Sequence, residues 1–279
     1  MRQTILTGLL LGGSLALSAC TGGVGGDVNK ALSGLDEEGG IREVMLSVAE
    51  PGEAVAYFQN RLGKDPGNAE HARDLARSLV RAGRSTEAVL AWRKVLAHED
   101  AGPEDQVELA DALIRTSEWR EAKTTLDGVP PSHRTFQRYR LEAMVADSTR
   151  DWTRADSFYE TAVDLTTRPA GVLNNWGYSK LTRGDAPGAE RLFTEAITHD
   201  AGLFTAKNNL VLARATRRVY ALPAVPVSQE ERAQLLHTAA LAAIKQGDAD
   251  IGRNLLEDAI DTHPRHFEPA VRALEALNL

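Results

Sequence analysis

Residues 177–196 read GYSKLTRGDAPGAERLFTEA. Three other stretches lie over them without a gap: ARSLVRAGRSTEAVLAWRKV at 76–95, ADALIRTSEWREAKTTLDGV at 110–129 and AMVADSTRDWTRADSFYETA at 143–162. Each opens on a small or flexible residue and reaches a turn seven places on, at Gly83, Ser117, Arg150 and Gly184. Each then places an alanine at its thirteenth position. Those alanines are Ala88, Ala122, Ala155 and Ala189, with Ala54 one period earlier, at spacings of 34, 34, 33 and 34. Two short antiparallel helices pack closely only where one side chain is small. Four residues after each alanine a larger residue fills the next gap: Phe58, Trp92, Leu126, Tyr159 and Phe193. An offset of four puts both on one helix face. No strand-like alternation lasts six residues, so the expected fold is all-α. Trp176 and Phe193 are expected to be core residues, not an aromatic platform for a cofactor.

This pattern resembles the tetratricopeptide repeat, a helix–turn–helix unit with a 34-residue period. The likeness runs over about residues 50–270. Trp176 and Gly177 occupy the family's large-then-small pair on the first helix; Ala189, Phe193 and Ala196 occupy the small, large and small places on the second. Trp119 and Trp152 stand two residues after their turns, where the family often has an aromatic. The family's helix-ending proline is present as Pro66 and Pro264 and is replaced elsewhere. The resemblance implies an α-solenoid of antiparallel helix pairs whose first helices line a protein-binding groove. The repeat places that usually face it are held here by Arg73, Arg77, Asp111, Arg140, Met144, Asn174, Tyr178, Asn208 and Leu212. Asn side chains both donate and accept, which suits an extended peptide backbone. Water or a neighbouring repeat would satisfy Asn174 and Asn208 equally well.

The period breaks after residue 204. FTAKNNLVLARATRR begins a fifth unit, with Asn208 and Asn209 one period after Asn174 and Asn175. Where its second helix should run, the chain reads VYALPAVPVS, and Pro223 and Pro226 lack the N–H that a helix interior needs. This stretch is read as a linker between helical blocks, with folding over the groove or offering an extended segment as the other readings. Ser228 with Glu231 three places on is a capping box, and Gly247, Gly252, Leu256, Ala259 and Pro264 restore the pattern. RHFEPAVRALEALNL is expected to cap the array, since a solenoid's last face needs cover.

Toward the other end, residues 1–20 read MRQTILTGLLLGGSLALSAC. Arg2 precedes an uncharged apolar stretch, Ile5 to Leu17, too short to span a bilayer as a mature helix. Leu17, Ser18, Ala19 and Cys20 resemble a bacterial lipobox, which implies cleavage before Cys20 and lipidation of its sulfur. Thr21 in place of Asp implies sorting to the outer membrane, facing the periplasm. Residues 21–40 contain seven glycines and are read as a flexible tether. The expected organisation is a signal peptide over 1–19, lipidated Cys20 and tether over 20–40, and a repeat array over 41–221. A Pro-containing break over 222–227 and a final helix pair with cap over 228–279 complete it.

Composition narrows the function. A formal net charge of −7 argues against a general nucleic-acid binder. The single cysteine excludes an internal disulfide. There is no HExxH, no phosphate-cradling GxxxxGK[ST] and no GxSxG. His263 and His266 form HxxH, but His98, His133, His199 and His263 recur at the end of second helices, where an imidazolium suits the helix dipole. No metal, no cofactor and no catalytic residue is expected. The lipobox, the array, NNWGYSKLTRGD at 174–185 and LPAVPVS at 222–228 together resemble the tetratricopeptide-repeat lipoproteins of Flp/Tad pilus assembly, the TadD type. That resemblance implies protein partners, among them the secretin or other pilus-assembly components. The alternative is an adaptor for cell-wall synthesis enzymes or for outer-membrane barrel assembly.

Overall fold

A computed structural model describes residues 37–277, so the expected signal peptide, Cys20 and most of the tether lie outside the described residues. The chain divides into two compact units, one up to Glu50 and one from Pro51 onward. Helix α1 (Glu37–Ser47) belongs to the first. It begins inside the stretch expected to be tether, so residues 37–40 are helical. The second unit begins at Pro51.

Among the described residues the second unit is helical with no strand. Helix α2 (Pro51–Lys64) carries the buried Ala54 and Phe58. Four full pairs follow: α3 (Ala69–Arg81) with α4 (Ser85–Val95), α5 (Pro103–Arg115) with α6 (Trp119–Asp127), α7 (Phe136–Ser148) with α8 (Trp152–Asp164), and α9 (Ala170–Thr182) with α10 (Ala186–His199). Helix α11 (Phe204–Ala215) is followed by a non-helical stretch in place of a second helix. The pair α12 (Gln229–Lys245) and α13 (Ala249–Thr262) comes next, with α14 (Glu268–Leu277) packed on both. Consecutive helices pack on each other, and first helices α5, α7, α9 and α11 also touch in series.

Local chemistry starts these helices. Asn68, Thr135, Asp151, Asp185 and Ser228 each accept a hydrogen bond from the backbone N–H three residues on. Such caps are worth about 1 kcal/mol each. One turn ends the first helices. A residue just past the C-cap is left-handed at Gly83, Ser117, Arg150, Gly184 and Gly247, and one place further on at Arg218, with φ between 58° and 88°. Its own N–H bonds three residues back, as Gly83 to the Val80 carbonyl at 3.0 Å. The next N–H bonds five back, as Arg84 to Leu79 at 2.9 Å and Asp151 to Ala146 at 2.9 Å. This is the Schellman motif, at the four turn positions read from the sequence and at two more.

Arg150 is exposed and pays for its left-handed backbone without evident return. Replacing it by glycine removes a cost of about 1–2 kcal/mol and adds unfolded-state entropy, for a net gain of about 0.5–1 kcal/mol. Urea melts of Arg150→Gly should show that gain as a higher midpoint at unchanged slope.

The core follows the size rule. Ala54, Ala88, Ala122, Ala155 and Ala189 are fully buried, as are Phe58, Trp92, Leu126, Tyr159 and Phe193. Each large side chain contributes about 1.5–3 kcal/mol through burial. Gly177 shows why a small residue is needed: a Cβ there would stand 2.6 Å from Cε1 of Phe193. Trp176 is partly buried instead of sealed in the core. Its ring stacks on Tyr159 at 6.2 Å, and its Nε1 donates to Asp156 at 2.6 Å.

The Pro-containing stretch is a packed element. Residues 219–228 run without helix, with Tyr220 buried and Leu222, Val225 and Val227 turned partly inward, while Ala221, Ala224 and Pro226 are exposed. Val225 packs on the core of α9, α10 and α11; Leu222 and Val227 pack on that of α11 and α12. The Tyr220 hydroxyl donates to Asp248 at 2.6 Å. The segment thus covers α11 as a second helix would. Being shorter, it brings the next left-handed turn after 29 residues instead of 33 or 34.

Candidate peptide groove

The first helices carry charged residues in the N-terminal half of the array and mostly neutral ones in the C-terminal half. In the first half the charges satisfy one another. Arg73 holds both oxygens of Asp105, at 2.9 and 3.0 Å, and reaches Asp100 at 3.2 Å. The Asp105 hydrogen bond keeps the Arg73 guanidinium far above its ordinary value, against the opposing effect of burial. Asp105 also accepts from the Gly102 N–H at 3.0 Å, at the start of α5. Arg77 lies 3.9 Å from the buried Asp74. Asp111 accepts from Arg115 at 2.6 Å and from Arg140 at 3.2 Å. Burial pushes the Glu108 carboxyl upward, with Arg77 opposing. Of the nine expected groove residues, Arg73, Arg77, Asp111 and Arg140 are therefore bound within this ion network.

The second half holds an open groove of about 500 Å³. Met144, Asp147 and Ser148 enter from α7; Asn174, Asn175, Tyr178, Ser179 and Thr182 from α9; Thr205 and Asn209 from α11. Trp119 and Trp152, at the starts of α6 and α8, and Tyr159 complete it. Tyr178 lines the groove and is 55% exposed. Asn174 accepts from the Asn209 amide at 3.0 Å, and the Asn175 amide approaches the Met144 sulfur at 3.8 Å. Asn208 is not among the residues lining this groove; it accepts from Thr238 at 2.7 Å, the neighbouring-repeat bond that the sequence left as an equal reading. Leu212, one repeat after Tyr178, lines an adjoining groove of about 470 Å³ with Leu181, Ala242 and Gln246.

At the base of the larger groove, Asp147 accepts from Ser179 Oγ at 2.6 Å and from the Tyr159 hydroxyl at 2.9 Å. Burial raises the Asp147 carboxyl above its ordinary value, and the two hydroxyls oppose that rise. Burial also pushes the Tyr159 hydroxyl upward, with Asp147 adding to it. Beside them, burial pushes Asp156 upward. Hydrogen bonds from Arg183 at 2.6 Å, Lys180 at 2.9 Å and Trp176 outweigh it and hold the carboxyl low.

Trp119, Ser148, Trp152, Thr182 and Asn209 are groove residues that the repeat places alone did not select. A signal was present: Ser148 and Thr182 are one period apart, and so are Trp119 and Trp152. The histidine reading needs correction at His133. It lies beyond the end of α6 at Asp127, and its ring pairs with Glu104 at 3.2 Å. His263 stacks on Phe267 with centroids 4.8 Å apart, and His266 meets Glu268 at 2.7 Å. Among the described residues no group of three or more His, Cys, Asp or Glu could hold a metal ion. None of the described helices is long and apolar enough to cross a membrane.

A recurring helix pair, a recurring left-handed turn and a groove on serial first helices stand together. The array has the tetratricopeptide-repeat fold. No protein-family model and no curated protein matches the chain. Solved structures do. A chain of the APC/C hetero-tetramer Cut9–Hcn1 is 13% identical over 85% of this chain, with a TM-score of 0.62. This chain spans about half of that one, 48% of its length. A tetratricopeptide repeat protein from Parabacteroides merdae is 11% identical, covering 90% of this chain and 97% of its own, with a TM-score of 0.54. PilW, described as a widely conserved type IV pilus biogenesis factor, is 13% identical, covering 84% of this chain and 98% of its own, with a TM-score of 0.55. At these identities the likeness concerns the fold.

Proposed function

We propose that the chain is a lipid-anchored periplasmic scaffold that binds an extended segment of a protein partner and assists assembly of a Flp/Tad-type pilus or secretion machine at the outer membrane. The observation that carries the binding half is the groove walled by Trp119, Trp152 and Tyr178 and edged by Asn174, Asn175 and Thr182. It offers apolar area for side chains and amides for a peptide backbone, the combination that strand-like ligands use. The machine and the location rest on the lipobox ending at Cys20 and on the resemblance to pilus-assembly lipoproteins, with PilW as a pilus factor of the same fold. A photoreactive phenylalanine at Tyr178 should crosslink in cells to the secretin or another pilus component. The product should fractionate with the outer membrane, and Cys20→Ser should release it. Crosslinks to cell-wall synthases or barrel-assembly proteins instead would transfer the scaffold to those machines. Absence of any crosslink from Tyr178, with crosslinks from the opposite face, would remove the groove as the binding surface.

A further inference from the structure

Of the residues lining the larger groove, Asp147 alone is ionisable to a charge near neutral pH, and none is Lys or Arg. The hydroxyls of Ser179 and Tyr159 hold its two oxygens by donating one hydrogen bond to each. They orient the carboxylate without neutralising it, and each oxygen keeps capacity for another donor. The cations on α9 are committed elsewhere: Lys180 and Arg183 both bind Asp156, and neither lines the groove. Arg183 also places its guanidinium 5.6 Å from the Trp152 ring centre, so this indole already accepts a cation on one face.

These facts discriminate among ligands. A purely apolar segment seated here would strip water from Asp147 and supply nothing in return. An acidic segment would add repulsion in a chain whose net charge is already −7. A basic side chain meets both needs: its alkyl stem lies along aromatic surface and its head donates to a carboxylate. We infer that the groove selects a lysine or arginine in an extended segment of the partner, the stem against Trp119, Trp152 and Tyr178 and the charged head at Asp147. This deepens the proposed function and rests on the groove being the binding face.

The test uses the full-length chain and four capped peptides, Ac-Ala-Val-Ala-Xaa-Ala-Val-Ala-NH2, with Xaa arginine, lysine, norleucine or glutamate. Binding is followed by the indole N–H signals of Trp119 and Trp152 in NMR titrations. The arginine or lysine peptide should bind at least about tenfold more tightly than the norleucine peptide, from a charge-assisted hydrogen bond and a cation–π contact together. Asp147→Asn should lower that ratio several-fold, leaving the smaller cation–π share, while norleucine binding persists. Trp152→Leu keeps the carboxylate and should lower the ratio several-fold, a second readout independent of how Asp147→Asn folds. Equal binding of arginine and norleucine peptides, or tighter binding of glutamate, overturns the cation inference and leaves the groove reading standing. If no peptide moves either indole signal, the groove reading fails and the inference fails with it.

Discussion

Gly177→Val should destabilise the protein by about 2–3 kcal/mol, the cost of overpacking a closed contact. Gly177 sits within α9, where valine would otherwise be tolerated and glycine carries a propensity cost of up to about 1 kcal/mol. Packing opposes that gain. A Cβ at 177 would lie 2.6 Å from Cε1 and 2.8 Å from Cδ1 of Phe193, distances that real Cβ atoms do not adopt. The Phe193 ring has no room to retreat. It is fully buried in a cluster with Leu173, Ala189, Leu192, Ala196 and Ile197. Phe193→Ala alone should cost about 3–5 kcal/mol through the cavity it leaves. In that background Gly177→Val should be neutral or stabilising, because valine's methyls enter the void. The double-mutant cycle should therefore show a coupling of at least about 1 kcal/mol in urea melts. Additive costs would mean that the two residues do not meet.

Glu231→Ala is expected to be comparably severe, at about 3 kcal/mol. Lys207, on α11, is 3% exposed and would otherwise be an unpaired buried ammonium. Glu231, the third residue of α12, places both carboxylate oxygens 3.1 Å from its Nζ and also accepts from the Ser228 N–H at 2.9 Å. One carboxylate thus closes a capping box and neutralises a buried cation. The cost falls at the low end for a broken buried pair because Glu231 is 27% exposed and water reaches it. Lys207→Met with Glu231→Ala should recover most of the loss, since apolar replacement removes the stranded charge. The same pair shapes the acid limb. The Ser228 N–H, aided by Lys207 and opposed by burial, holds the Glu231 carboxyl below its ordinary value. A depressed carboxyl contributes fully above its unfolded value of about 4.3, and that contribution is lost as pH falls through the folded value. The stability gap between the native chain and Glu231→Gln should accordingly narrow from pH 6 toward pH 3. A constant gap would detach the carboxylate from the effect.

The repeat was legible because size and backbone sign are local demands. Every helix pair needs a small residue where it approaches most closely, so Ala88, Ala122, Ala155 and Ala189 recur whatever their neighbours are. Every first helix needs a left-handed exit, so Gly83 and Gly184 mark turns, and the register carries the same role to Ser117 and Arg150 against their own preference. The extended cover at 219–228 was half legible. Pro223 and Pro226 excluded a helix, but nothing in their order said that Leu222, Val225 and Val227 would pack where a second helix belongs.

The groove divided along another line. The resemblance to tetratricopeptide repeats named nine residues that could face it. Which of them are free depended on partners one repeat away. Arg73 is taken by Asp105, 32 residues on, Arg140 by Asp111, 29 residues back, and Asn208 by Thr238, 30 residues on. Local sequence sets side-chain size and turn sign because each is decided within a single helix pair. Charge pairing is decided between pairs, after stacking has brought distant residues within hydrogen-bond reach. That is why the scaffold could be read from the chain, whereas the open groove, with Asp147 at its base, was decided by the tertiary structure.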